Sequence, residues 1–326
     1  MNFITYAALN ADIIANMYKI PKDVDVVVGI PRSGLLVANI LSLYLNKPLC
    51  DFDSFLQERI YNSGTTKNKS GWVKDFSEVR KALIVEDTVC SGSSINKAKD
   101  LFYQQNFESI TPIWFSAYVW KRNANLVDLY FRDVDIPRAF EWNYLHIKLL
   151  EQTCFDIDGI LCEDPSSEQN DDGEKYRDFL LNATPKFIPT QKIGCLVTSR
   201  LEKYRKETEV WLSKNGILYD SLYMMNVDSA EKRRKLGNHA EFKAGIYKQR
   251  KEMIFFVESE PQQAETICRL SKKAVFCPIN QKFYEESLLT TVTSKSRNGI
   301  KTILYPYVPR VLLNLYREIK YGRSNH

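Results

Sequence analysis

The sequence predicts an α/β protein of two doubly wound parallel-sheet domains, and three stretches carry that prediction. Ala82–Val85 is a short, wholly apolar run of the kind buried on both faces of a parallel sheet. Glu86 and Asp87 follow it, then a turn of small residues and a helix expected over Ile95–Gln105. Asp25–Val28 is a second such strand, with a Gly29–Gly34 turn and an apolar helix over Leu35–Leu45. The same order of strand, polar loop and helix returns after Thr153 and again after Ile193.

The chain of 326 residues is 44% hydrophobic and 26% charged, enough for two cores. Boundaries are expected at 1–150 and 151–304, with a basic amphipathic helix over 305–326. A net charge of +5 is modest, and basic runs such as Lys232–Lys235 are short. They read as a solvated face, which argues against a nucleic-acid partner. The seven cysteines form no closely spaced pair, so free thiols in a reducing cytoplasm are expected. Three histidines are too few for a His-rich zinc site. No basic-then-apolar leader stands at the N-terminus, and no run nears the ~20 apolar residues of a membrane span. The expected location is cytoplasmic.

The chemistry of the first half lies at two strand ends. After Ala82–Val85, Glu86 and Asp87 are acceptors for neighbouring hydroxyls. Thr88, Cys90, Ser91, Gly92, Ser93 and Ser94 form a small-residue loop at a helix N-terminus, which suits a phosphate. One ligand satisfies both halves of this tool, a ribose with a 5-phosphate and a free 2,3-diol. The stretch resembles the signature by which type I phosphoribosyltransferases bind phosphoribosyl pyrophosphate (PRPP). It departs from that pattern at Thr88, commonly aliphatic, and Cys90, commonly Ser, Thr or Ala. Arg32-Ser33-Gly34, after the second strand, match the place where the family holds the leaving pyrophosphate. The resemblance also implies a lid over PRPP in the polar loop within Glu58–Asp75, with Lys67 or Lys69 meeting pyrophosphate charge. It further implies a hood over the acceptor, for which the N-terminal helix and Pro137–His146 are candidates; Trp142 there is either packing or a substrate platform. Transfer needs no protein nucleophile. Mg²⁺ belongs on the departing pyrophosphate, and Glu86 and Asp87 place negative charge near the cationic ribose.

In the second half Asp156 and Asp158 sit two apart at the end of a strand, on one side of it. This resembles the first motif of haloacid dehalogenase-like (HAD) phosphatases, in which the first aspartate attacks phosphorus and the second handles the proton. The resemblance implies Asp156 as nucleophile and Asp158 as acid/base. It implies Thr198, at the end of Ile193–Arg200, as the hydroxyl that holds a phosphate oxygen, and Lys243 as the lysine pairing with nucleophile and phosphate, with Lys248 as a lesser alternative. Mg²⁺ ligands are then Asp156, Asp158 and one of Glu258 or Glu260, a departure from the usual aspartate. Leu161–Gln191 is too short for a lid domain, so the second domain is expected to be a HAD-like Rossmannoid with a minimal cap.

Tyr307, Val308, Val311, Leu312, Leu315, Tyr316 and Ile319 recur at helical spacing among Arg310, Arg317, Lys320 and Arg323. That helix packs on the body or docks peripherally on the inner, anionic membrane face. Together the halves resemble bacterial transferase–phosphatase pairs that install ribofuranose in polysaccharides. The expected function is PRPP-dependent transfer to a lipid-linked glycan followed by hydrolysis of the 5-phosphate. A nucleobase phosphoribosyltransferase coupled to a nucleotide 5-phosphatase, and a non-catalytic PRPP sensor, stay open. So does a homo-oligomer.

Overall fold

The computed structural model describes residues 1–61 and 71–286. Lys67, Lys69 and the amphipathic tail expected at 305–326 lie outside them. The chain divides into two compact units between Arg138 and Ala139, with Phe3 grouped with the later one. The expected boundary was at 150. Residues 139–150 belong with the later unit because Ala139, Tyr144 and Leu150 are buried in the same cluster as Phe155 and Ile157.

The first unit runs β1 (Asn2–Ile4), α1 (Tyr6–Asn16), β2 (Val26–Gly29), α2 (Gly34–Leu45), β3 (Leu49–Asp51), α3 (Phe52–Leu56), β4 (Lys81–Val89), α4 (Ser93–Gln104), β5 (Thr111–Val119) and β6 (Leu129–Asp133), with β7 (Arg138–Phe140) at the division. Its sheet has the order β3-β2-β4-β5-β6, and every pairing is parallel. Val26, Val27, Val28, Ala82, Leu83, Ile84 and Val85 are fully buried, as a strand covered on both faces requires. α1 begins at Tyr6 because Thr5 caps it, accepting from the Ala8 N–H at 3.1 Å. The chain leaves β2 toward β3 on one side and returns to β4 on the other. The crevice between β2 and β4, at their C-terminal ends, is therefore the topological switch point, where open α/β sheets bind ligands.

The second unit contains β8 (Thr153–Phe155), α5 (Glu174–Asn182), β9 (Ile193–Leu201), α6 (Arg205–Lys214), β10 (Tyr219–Met225), α7 (Ala230–Leu236), α8 (His239–Gln249), β11 (Phe255–Val257), α9 (Pro261–Ser271), β12 (Ala274–Cys277) and β13 (Lys282–Tyr284). The order is β10-β9-β8-β11-β12-β13, parallel except for the last pair. Here the switch point lies between β8 and β11. Phe3 stacks in this core, with ring centroids 5.3 Å from Phe255 and 4.4 Å from Phe276. Trp142 lies with its ring centroid 5.0 Å from that of Phe140.

One close approach fixes a residue at the first switch point. α2 begins against β4, and a Cβ on Gly34 would stand 2.5 Å from the Val85 carbonyl oxygen, a backbone atom with no room to yield. Gly34→Ala is expected to destabilise the first unit by roughly 1–3 kcal/mol, the usual cost of overpacking. The loss would register as faster hydrogen exchange in β2 and β4; unchanged exchange there would refute the close approach.

Candidate active sites

At the first site β4 does not end at Val85. It keeps its pairing with β5 through Glu86↔Ser116 and on to Val89↔Val119. Glu86 and Asp87 are thus residues of the strand, not of the loop after it. Both are buried, at 6% and 4% exposure. Glu86 accepts from the Ser94 hydroxyl of α4 at 2.6 Å and from the Asp87 N–H at 3.2 Å. Burial, and then the neighbouring Asp87, push the Glu86 carboxyl up to about 8, against the pull of the Ser94 hydrogen bond.

The loop behind these acids is built as the sequence suggests. Gly92 caps α4 at a φ of +85°, a left-handed backbone suited to glycine. Ser91, Ser93 and Ser94 are exposed around the helix N-terminus, and the Ser91 and Ser93 hydroxyls are 3.0 Å apart. Cys90 is exposed, and the Thr88 hydroxyl is buried without a partner among the described residues. Across the switch point Arg32 is exposed and Ser33 half-buried, while Gly34 packs on Val85 and Glu86. The Pro31–Arg32 peptide is cis. The fold brings Arg32, Ser33 and Gly34 together with Glu86, Asp87 and the 88–94 loop at neighbouring strand ends.

The second site opens into a cavity of about 510 Å³ whose lining includes Asp156, Asp158, Ser199, Arg233, Lys243 and Glu258. Asp156 follows β8, and its N–H donates to the Val257 carbonyl of β11 at 3.0 Å. That bond sets Asp156 beside Glu258. Lys243, only 2% exposed on α8, donates to Asp156 Oδ2 and to Glu258 Oε2, each at 2.7 Å. Asp156 Oδ1 accepts from the Ile157 N–H at 2.8 Å. Burial raises the Asp156 carboxyl while Lys243 opposes it, and burial pushes Glu258 up to about 7. Lys243 is held above the usual lysine range because Asp156 and Glu258 outweigh its burial.

Asp158 has its own cation. Arg200 is fully buried and donates to Asp158 Oδ1 through Nη2 at 2.7 Å and through Nε at 3.2 Å. The guanidinium also meets the Cys162 sulfur at 3.3 Å. This arginine was missed because only the fold brings it against Asp158, which lies 42 residues earlier in the chain.

Four expectations change here. Thr198 is wholly buried, and its hydroxyl accepts from the Arg200 N–H at 3.2 Å. It is the adjacent Ser199 that lines the cavity, with a buried hydroxyl unpartnered among the described residues. Glu260 lies at the cavity wall but uses both carboxylate oxygens to cap α9, accepting from the Gln262 and Gln263 N–H groups at 3.1 and 2.6 Å. Lys248 is outside the cavity lining, and Lys243 holds the central position. The run Lys232–Lys235 is not simply a solvated face, since Arg233 is buried and points inward.

Among the described residues no three His, Cys, Asp or Glu side chains converge as a ready metal cage. Mg²⁺ commonly rests on one or two carboxylates, with water and substrate phosphate completing its shell. Asp156 and Asp158 are the pair that fits this in the second unit. The carboxylates of Glu86 and Asp87 are the acidic donors of the first.

The Glu86 carboxyl generates a pH prediction. Its folded value lies above the ordinary 4.5, so its contribution to stability is complete below that value and is lost as pH rises through about 8. Glu86→Gln cannot lose a proton. The stability of this variant relative to wild type should rise steadily between pH 5 and 8, measured by urea unfolding at matched ionic strength. A difference that stays flat over that range would overturn the assignment.

Comparison with known proteins is specific for the first unit. Residues 5–149 match the phosphoribosyl transferase domain family. A transcriptional regulator, GfcR, of Methanococcoides burtonii is 26% identical over 117 residues, covering 35% of this chain and 54% of that protein. The chain thus spans about half the length of this curated relative. The xanthine-guanine-hypoxanthine phosphoribosyltransferase of Helicobacter pylori aligns with 44% of this chain and 93% of its own, at 15% identity and a TM-score of 0.32. A purine phosphoribosyltransferase from Pyrococcus horikoshii aligns with 44% and 95%, at 16% identity and a TM-score of 0.31. The N-terminal part of this chain is a phosphoribosyl transferase domain.

Proposed function

We propose that the chain is a bifunctional enzyme that transfers 5-phosphoribosyl from PRPP to an acceptor and then hydrolyses the 5-phosphate. In the first unit the loop at the start of α4 takes the 5-phosphate, and Arg32, Ser33 and Gly34 take the pyrophosphate. Glu86 and Asp87 face the diol and the cationic ribose. Mg²⁺ on the pyrophosphate supplies charge neutralisation to the leaving group. The protein positions the donor and excludes water, because the reaction proceeds without a covalent enzyme intermediate.

The observation that carries the second activity is the lysine shared by Asp156 and Glu258 at the β8–β11 switch point. Lys243 opposes the effect of burial on Asp156 and so favours the carboxylate form that a nucleophile requires. Asp156 attacks phosphorus and the ester oxygen leaves with a proton; water then attacks the aspartyl phosphate, releasing inorganic phosphate, freeing Asp156 and returning the proton. Asp158 is the side chain in place to carry that proton, and Arg200 orients it. The donor set of HAD-type phosphatases, an aspartate pair, a strand-end hydroxyl, a lysine and an acid, is met with Ser199 as the hydroxyl. Our preferred acceptor is a lipid-linked glycan, which gains a plain ribofuranosyl unit.

A second reading is favoured by the similarity to a transcriptional regulator, in which the first unit senses PRPP without turning it over. Mutants separate the readings. With PRPP, Mg²⁺ and candidate acceptors, Asp156→Asn should lower phosphate release at least about a thousand-fold and let a phosphoribosylated acceptor accumulate. Asp87→Asn should abolish pyrophosphate release and leave phosphate release from a ribose 5-phosphate ester intact. Pyrophosphate release that follows a free nucleobase would replace the glycan with a base. PRPP binding without pyrophosphate release from any acceptor would favour the sensor.

A further inference from the structure

Among the described residues three cations are buried around the second cavity, and two of them have carboxylates. Lys243 is shared by Asp156 and Glu258, and Arg200 is locked on Asp158. The third is Arg233, on α7. It is 9% exposed and makes no ion pair with any described residue. One terminal nitrogen donates to the Ser199 carbonyl at 3.0 Å, and the other reaches Asn170 Oδ1 at 3.4 Å. Its Nε–H is buried with no partner among the described residues. A guanidinium cannot shed its proton to escape this cost. A charge left unpaired away from water is expensive, and the ordinary remedy is an anion.

The neighbouring group is equally unsatisfied. The Ser199 hydroxyl lines the same cavity, is buried, and lacks a partner among the described residues. Arg233 is tied to the backbone of that same residue, so the two orphan donors are held side by side. His239, on the cavity wall, is kept below the usual histidine range by burial and by Arg233 and Lys243, so at neutral pH it adds no competing charge.

We propose that Arg233 and Ser199 form the anion-recognition subsite of this cavity and that its ligand is a phosphate monoester dianion. The guanidinium from α7 and the hydroxyl from the end of β9 bind two oxygens of the phosphoryl group. Lys243, already divided between two carboxylates, holds the nucleophile rather than providing the principal charge for the substrate. The assignment rests on the phosphatase reading for its ligand class, but it makes a binding claim that stands without turnover.

The test is binding of inorganic phosphate to the full chain, by calorimetry at fixed pH and ionic strength. Wild type should bind it with saturable heat. Arg233→Met should weaken binding by about 10- to 150-fold, the range for a charged hydrogen bond lost. Arg233→Lys should recover part of that loss. Ser199→Ala should cost about 2- to 12-fold, as for a neutral hydrogen bond. Wild type that does not bind phosphate, or a folded Arg233→Met that binds it unchanged, overturns the proposal. Should Arg233→Met fail to fold, Ser199→Ala decides, because it removes a single unpartnered oxygen; unchanged affinity there overturns the proposal as well. Phosphate binding with these dependences but no hydrolysis of any phosphate ester would remove the phosphatase reading and leave the subsite standing.

Discussion

A lysine almost out of reach of water, shared between two carboxylates, is the constraint on which the second unit depends. Lys243 cannot be lost cheaply, because its removal would leave Asp156 and Glu258 as like charges facing each other in a buried place. Breaking a buried pair in that way typically costs about 3–5 kcal/mol. The arrangement also orders the fold. Asp156 comes from the end of β8 and Glu258 from the end of β11, and the helix carrying Lys243 has to return across both to reach them. The ion trio and the switch-point topology are two descriptions of one requirement.

Charge decides what such a cavity can bind. Burial raises both Asp156 and Glu258, and the one lysine between them opposes that without neutralising both. A bare acidic pocket would repel a phosphate ester. The buried guanidinium on α7 offsets that repulsion, and Arg200 keeps the carboxylate of Asp158 compensated. The segment between β8 and β9 contributes a tether. Asp172 accepts from the Ala230 N–H at 2.9 Å and so fixes the start of the helix that bears Arg233.

The apolar runs and the acids at their ends could be read from the sequence, because a strand covered on both faces leaves no alternation to confuse the pattern. What could not be read depends on where pairing stops. β4 and β9 each extend past the apolar run, since register with β5 and β10 is set by neighbours far along the chain. Along β9 successive side chains alternate, and it is Ser199 that lines the cavity while Thr198 is wholly buried. Arg233 was hidden for a related reason. Four basic residues in a row look solvated, and only the packing of a short helix shows which one points inward. Phe3 gave no sign of its place, because ring stacking with Phe255 and Phe276 spans most of the chain.

The extension of β4 bears on the first site most directly. The Glu86 and Asp87 carboxyls stand side by side, close enough for a side-chain hydrogen bond between them. Glu86 also binds the Ser94 hydroxyl of α4, and burial together with the neighbouring Asp87 pushes its carboxyl up to about 8. A protonated carboxyl donates as well as accepts, so Glu86 suits anchoring the phosphate loop as much as gripping a sugar. Two adjacent buried acids could not both ionise without cost. The Ser94 hydrogen bond ties Glu86 to the start of α4, so the carboxyl proposed to meet the ribose also holds the loop in shape.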